Sequence, residues 1–128
     1  MIPPLAPTFE AALRDVRAQD ARFRAASAVK LGEAPMERRD EAVEGLLHLA
    51  SDPVGFVREV AYESLGALAA IEGLSAVLDA FDDTNLGARQ SAVLAASRIA
   101  PEQSADAIAA LLQDPRPEMR YSAIWALS

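Results

Sequence analysis

The sequence predicts an all-α fold, a solenoid of about four stacked helix pairs, from three observations. An aspartate and an arginine recur at a spacing of 31 residues, with the aspartate six residues before the arginine. Apolar or small residues surround each arginine at helical intervals, and aromatic residues are only 5% of this alanine-rich chain. Self-similarity at about 20–50 residues is typical of stacked supersecondary units. The repeated residues are Asp52, Asp83 and Asp114, with Arg58, Arg89 and Arg120.

The segment around each arginine is predicted to be the second helix of a repeat unit. Arg24 is the counterpart of that arginine in the first unit. Apolar or small residues fall one position before the arginine and three, four and seven positions after it. Such positions cluster on one side of an α-helix, which has a period of about 3.6 residues. The four segments are residues 23–32, 57–66, 88–97 and 119–128.

A second apolar pattern precedes each turn and predicts the first helix of the unit. The pattern has the same offsets in the second, third and fourth units, as an amphipathic helix requires. The first unit fits less well because the polar Asp15 interrupts the pattern. The aligned sets are Leu46, Leu47, Leu49 and Ala50; Val77, Leu78, Ala80 and Phe81; Ile108, Ala109, Leu111 and Leu112; and Ala12, Leu13, Asp15 and Val16.

Turn-forming residues separate these helices. Asp20 and Asn85 lie four residues before their arginines and are predicted to cap the second helices of their units. Pro117 suits the first turn of a helix, where its missing N–H costs nothing. Three glycines between units are predicted to stop helices, namely Gly32, Gly66 and Gly73.

The chain is predicted to be one domain, residues 1–128, with an atypical first unit. Arg24 and Arg58 are 34 residues apart, and Ala18 replaces the repeat aspartate. Terminal units of a solenoid cap an exposed core. We expect residues 1–7, through Ile2 and Leu5, to cover that end together with Phe9. The chain stops at Ser128 inside a predicted helix, so we expect either a longer protein or a docked end. The approximate units are 8–33, 40–69, 71–99 and 102–128.

Composition excludes several classes of function. The net charge of −7 argues against nucleic acid and against an anionic membrane surface as partners. The absence of cysteine excludes disulfides and thiolate metal sites, and it fits a cytoplasmic location. The first residues lack the pattern of a signal peptide, and no apolar run could span a bilayer.

No group of residues points to catalysis. His48 is the only histidine and falls on the polar side of its predicted helix, so it is expected to be solvated. A lone histidine cannot form a paired zinc motif, and no phosphate-binding loop or nucleophile motif occurs. We therefore expect a protein that is not an enzyme and needs no cofactor or metal.

The pattern D-x5-[VMA]-R-x2-A-x3-[LA] after an apolar helix resembles the HEAT-repeat family, above all its short bacterial form. That form is also found in phycobilin lyases and in scaffold proteins, and the resemblance covers residues 8–128. It implies a right-handed superhelix with the second helices on the concave side. It also implies a structural ladder of ion pairs between neighbouring units. The ladder residues would be Asp52, Asp83 and Asp114, with Arg58, Arg89 and Arg120.

One row of the second helices faces away from the predicted core, one and five positions after each arginine. In the geometry of the family this row lines a concave groove, which is acidic in the middle and aromatic at one end. Such a surface predicts a protein partner with a basic and an apolar segment. The candidate residues, with one basic residue nine positions after its arginine, are Val29, Glu59, Glu63, Gln90, Leu94, Arg98, Tyr121 and Trp125.

Two other functions stay open at the level of sequence. One is a lyase-like or chaperone module that handles a bilin-type ligand. The other is a structural module that self-associates through its C-terminal helix, where Trp125 and Leu127 lie. Trp125 could equally pack against a further repeat, and Glu59 and Glu63 could be an ordinary solvated face.

Overall fold

The computed structural model describes residues 7–128, and these residues confirm an all-α, repeat-like fold without strands. Two of the residues expected to cover the first unit, Ile2 and Leu5, lie outside the described range. The α-helices are α1 (Phe9–Asp15), α2 (Ala21–Leu31), α3 (Arg39–Leu49), α4 (Gly55–Ala67), α5 (Leu74–Asp79), α6 (Leu86–Ile99), α7 (Pro101–Ala110) and α8 (Pro117–Leu127). Short 3₁₀ turns precede α3 and α5 and follow α5 and α7.

The predicted helix starts are confirmed by their caps. The Asp20 carboxylate accepts a hydrogen bond from the Arg22 amide at 2.8 Å, and the Asn85 side chain accepts one from the Ala88 amide at 2.9 Å. Each bond satisfies one of the free N–H groups of a first helical turn. Pro117 is the first residue of α8, as expected.

The end of α4 corrects the glycine prediction. Gly66 lies inside α4, and Gly73 closes a 3₁₀ turn before α5. The chain leaves α4 through Ala69, whose φ of 48° lies in the left-handed region. The Ala69 amide donates to the carbonyl oxygen of Gly66 and the Ala70 amide to that of Leu65, both at 3.0 Å. This is a Schellman ending with alanine in the place that glycine usually takes.

We expect the Ala69→Gly variant to be more stable than the wild type by about 0.5–1 kcal/mol, because glycine adopts a positive φ without strain. Urea denaturation followed by circular dichroism would measure this difference. The control is Ala107→Gly on the exposed side of α7, which should cost about 1 kcal/mol. A loss of stability in the Ala69→Gly variant would contradict this account of the α4 ending.

The core runs between the helix pairs, and the second helices α2, α4, α6 and α8 pack in that order. The alanine three positions after each repeat arginine is fully buried in the last three units. Phe9 packs against the core at the first unit, with the Arg38 guanidinium 4.7 Å above its ring. The largest fully buried side chains are Leu31, Leu46, Leu49, Leu65, Ile108, Met119, Val57, Val77 and Val93.

Arginine–carboxylate rungs join the first three units. The guanidinium of Arg24 binds the carboxylate of Asp52 at 2.6 and 3.1 Å, and that of Arg58 binds Asp83 at 2.8 Å with two nitrogens. The rungs are nearly dry, because the Asp83 side chain is 7% exposed and that of Arg58 is 16% exposed. Arg24, which the ladder implied by the family resemblance did not include, is therefore the first donor.

Each rung also fixes the turn that carries it. Nη1 of Arg58 donates to the carbonyl oxygen of Asp52 in its own unit at 2.8 Å, and Arg89 and Arg120 repeat this bond at 2.9 and 2.7 Å. The Asp83 carboxylate meanwhile accepts a hydrogen bond from the Asn85 amide. One guanidinium thus holds its own turn and reaches the turn of the next unit.

The last rung departs from the expected ladder. Arg89 binds Glu118 at 3.1 Å rather than Asp114. Asp114 is already bound by Arg116, two residues away, at 2.9 and 3.0 Å. The corresponding turn residues in the second and third units, Val54 and Asn85, are uncharged. The aspartates of those turns therefore remain available to the arginine of the preceding unit. Nε of Arg89 is buried without a partner among the described residues, so this rung is the least complete of the three.

Ionisation of the two rung aspartates is coupled to folding. Burial alone would raise the pKa of Asp52, but hydrogen bonds from Arg24 and from the Val54 amide outweigh it and lower that pKa. Hydrogen bonds from Arg58 lower the pKa of Asp83 against a smaller opposing effect of burial. A carboxylate with a lowered pKa stabilises the fold above its unfolded pKa of about 4, and this stability is lost as the pH falls through the lowered value.

We expect Asp83→Ala to cost about 2–4 kcal/mol of unfolding free energy at pH 7, because it leaves the Arg58 guanidinium mostly buried without its carboxylate. Denaturation at several pH values would show the gap from wild type narrowing below about pH 4. The matched control is Asp106→Ala, an exposed carboxylate on α7. If the difference in unfolding free energy between wild type and Asp83→Ala persists at pH 2, lost packing and not the lost ion pair accounts for it.

Candidate functional site

An open groove crosses the second helices of the first three units. It has a volume of about 420 Å³ and lies over the C-terminal halves of α2, α4 and α6. We call it the α2–α4–α6 groove. Its lining consists of Val29, Gly32, Glu33, Val60, Glu63, Ser64, Ala67, Ser91, Leu94, Ala95 and Arg98.

Small residues form the floor of the groove, because they let neighbouring helices approach closely. A Cβ on Gly32 would come within 2.7 Å of the Ser64 Cβ, so only glycine fits where α2 meets α4. A Cβ on Gly66 would lie 3.1 Å from the Ala95 Cα, at the crossing of α4 with α6. The Ser64 hydroxyl donates to the Ala28 carbonyl oxygen at 2.7 Å and ties α4 to α2.

The groove combines an apolar centre with a charged rim. Val29 is 52% exposed and Leu94 is 38% exposed, so both offer apolar surface to solvent. The rim carries the carboxylates of Glu33 and Glu63 and, on α6, the guanidinium of Arg98. The Ser91 hydroxyl donates to Glu63 Oε1 at 3.3 Å, which ties that carboxylate to α6.

The structure brings together four of the eight residues predicted to contact a partner, which are Val29, Glu63, Leu94 and Arg98. Glu59 and Gln90 are half-buried and do not line the groove. The Glu59 carboxylate lies against the backbone of Gly87 at the start of α6, where any side chain would collide with it.

The predicted aromatic end is separate from the groove. Tyr121 and Trp125 lie on α8, and no residue of that helix is part of the lining. Both rings are strongly exposed, with 65% of Tyr121 and 75% of Trp125 open to solvent. The expected single row of partner contacts is therefore two surfaces, an acidic–apolar groove and an aromatic patch on the last helix.

The residues on the floor of the groove are not among those predicted from the sequence. Val60 and Ser91 lie two positions after their arginines, and Ser64 and Ala95 lie six positions after them. On a helical wheel these positions fall between the predicted outward row and the core. The available signal was the small size of Ser64, Ser91 and Ala95 at these positions, since small residues mark close helix packing.

The single histidine of the sequence lies apart from the groove. His48 is exposed beside a shallow cavity on the first-helix side, with Arg17, Glu41 and Glu44 nearby. Among residues 7–128, no group of three or more histidine, cysteine, aspartate or glutamate side chains could hold a metal ion. Over the same range, no helix has both the length and the apolar character needed to cross a bilayer.

The fold and the groove define an all-α protein of helical-repeat type with an open surface rather than an enclosed cavity. Neither a known protein-family model nor a curated protein sequence matches this chain. The resemblance to HEAT repeats therefore depends on the repeated positions themselves.

Glu63 lies on the groove rim, and its replacement by alanine should change the unfolding free energy by less than about 0.5 kcal/mol, because the side chain is exposed. Leu65→Ala is the control in the same helix. Leu65 is fully buried, so that variant should lose about 2–5 kcal/mol. Thermal and urea denaturation would measure the stability of both variants. An unfolded Glu63→Ala variant would show that this face of α4 is needed for the fold, which would contradict its assignment as an exposed rim.

Proposed function

We propose that this chain is a non-catalytic protein-interaction module that binds a basic and apolar segment of a partner protein in the α2–α4–α6 groove. The single observation behind the proposal is that exposed apolar side chains and two rim carboxylates meet over the second helices of three successive units. Interfaces of this kind place an apolar anchor in a pocket and use charge for orientation and specificity.

Charge and shape both favour a peptide or helix as the ligand. Glu33 and Glu63 would face lysine or arginine side chains of the partner, and Val29, Val60 and Leu94 would contact its apolar side chains. The groove is open along its length, as helix-in-groove recognition requires. Arg98 would meet an acidic residue or a helix C-terminus at the far end of the ligand.

The repeat positions support a more specific architecture. We propose a right-handed α-solenoid of HEAT type, with second helices on the concave side and rungs between units. The order of packing from α2 through α4 and α6 to α8 agrees with this arrangement. A cytoplasmic location fits the cysteine-free composition.

Self-association is a second candidate function, and the exposure of Trp125 and Tyr121 on α8 favours it. The bilin-type ligand of the other alternative fits the groove less well. A conjugated ligand would be expected to stack on aromatic rings, and the groove lining contains none.

A displayed library of helical peptides would test the proposed function. Peptides that bind the wild type are kept, and those that also bind the Glu33→Lys/Glu63→Lys double variant are discarded. We expect the recovered peptides to carry lysine or arginine beside leucine-like residues. The double variant should weaken their Kd at least about tenfold, a change of roughly 1.4 kcal/mol. Fluorescence anisotropy at low and high salt would measure this, and the difference should shrink as salt screens the charges.

The matched control is Glu102→Lys/Asp106→Lys on α7, which makes the same change of charge on an exposed surface outside the groove. It should alter the Kd less than about twofold. If both double variants weaken peptide binding equally, the loss of affinity comes from the change in net charge and not from the groove. Recovery of acidic peptides, or of peptides indifferent to the groove variant, would contradict the proposal.

A further inference from the structure

Opposite charges lie at the two ends of the α2–α4–α6 groove. Glu33 follows α2 and Arg98 lies on α6, each nine positions after its repeat arginine, and both side chains are exposed. The residue at the same position in the unit between them is Ala67, which carries no charge. Within residues 7–128, neither Glu33 nor Arg98 forms an ion pair. Both charges are therefore open to a ligand that lies across the groove.

The unit between these two charges keeps them apart. Neighbouring packed helices have axes about 8–10 Å apart, so positions two units apart are separated by roughly 16–20 Å. That separation exceeds the Debye length of about 8 Å at physiological ionic strength, so salt screens any attraction between the two side chains. The stem of Arg98 lies against α4, since a Cβ on Gly66 would be 3.7 Å from its Cδ. Packing thus holds Arg98 at the groove and leaves its guanidinium for a ligand.

The surface between the two ends is acidic and apolar. Glu63 on α4 lies five positions after its repeat arginine, and the exposed Val29 and Leu94 take the same position on α2 and α6. The Ser91 hydroxyl binds the Glu63 carboxylate, and within residues 7–128 no basic side chain forms an ion pair with it. The first two units therefore present negative charge to a ligand, and the third unit presents positive charge.

From this order of charges we propose that the bound partner segment carries both signs of charge, with basic side chains over α2 and α4 and an acidic side chain over α6. This inference rests on the proposed function and specifies the ligand of the same groove. A segment turned end for end would place its acidic side chain against Glu33 and a basic one against Arg98. Like-charge contacts of this kind disfavour the reversed direction. In a helical segment the two charges would be about eleven residues apart, a rise of about 16 Å that keeps them on one face.

Peptides recovered from the library on the wild type give the first test. We expect them to carry an acidic residue about eleven positions from a basic one. Replacing that acidic residue by its amide should weaken the Kd for the wild type by about two- to fivefold, as the loss of an exposed ion pair does. The same replacement should change the Kd for the Arg98→Gln variant less than about 1.5-fold, because the opposite charge is already absent. Equal weakening for both proteins, or recovered peptides without an acidic residue, would overturn the inference.

A nitroxide spin label at one end of such a peptide reports its direction, because the label broadens the signals of nearby backbone amides. With the label at the basic end, the signals of residues 29–33 should broaden most. With the label at the acidic end, those of residues 94–98 should broaden most. This measurement uses the unaltered protein. The same broadening from both labels would show that the peptide binds in either direction, which would refute the proposed order of charges.

A charge exchange tests the same order through the protein. The Glu33→Arg/Arg98→Glu variant keeps the net charge at −7 and should weaken the Kd of the selected peptides at least about fivefold. The control, Arg17→Glu/Asp106→Arg, makes the same exchange on exposed positions outside the groove and should change the Kd less than about twofold. An unchanged Kd in the groove variant would overturn the order of charges and leave the proposed function standing. If the library yields no peptide that depends on the groove, both proposals fail.

Discussion

A guanidinium that binds two consecutive turns is the interaction on which the arrangement of the helices depends. Arg58 holds the carbonyl oxygen of Asp52 in its own turn and the carboxylate of Asp83 in the next. Ion pairs of this kind contribute little net stability compared with well-packed apolar residues, but an arginine–carboxylate fork accepts few geometries. The rungs therefore fix the spacing and register of the units, while the buried alanine and leucine side chains provide the stability.

Fixed register has a direct consequence for the surface. Because neighbouring second helices are held close, Gly32 meets Ser64 and Gly66 meets Ala95, and the groove floor is made of small residues. Side chains on either side of these crossings, such as Val29, Glu63 and Leu94, then rise around a shallow open channel. Such a channel is open to solvent and offers a continuous surface that a peptide can cover.

Features that depend on local signals could be predicted from the sequence, whereas features that depend on contacts between units could not. Asp20, Asn85 and Pro117 mark helix starts through their own side chains, so their positions could be read directly. The end of α4 at Ala69 could not be predicted, because alanine carries no sequence signal for a left-handed backbone conformation. The capture of Asp114 by Arg116 is a competition between two partners that a repeat pattern does not show. The groove floor likewise follows from helix crossings, which place residues of three units together.

The location of a bound ligand tests the account most directly. A selected basic–apolar peptide, titrated into isotopically labelled protein, would shift the backbone amide signals of the residues it touches. We expect the shifts to concentrate on residues 29–33, 60–67 and 91–98, which line the α2–α4–α6 groove, and to leave α1 and α7 unchanged. Shifts confined to the first helices of the units, or to α8 alone, would contradict the assignment of the groove as the binding surface.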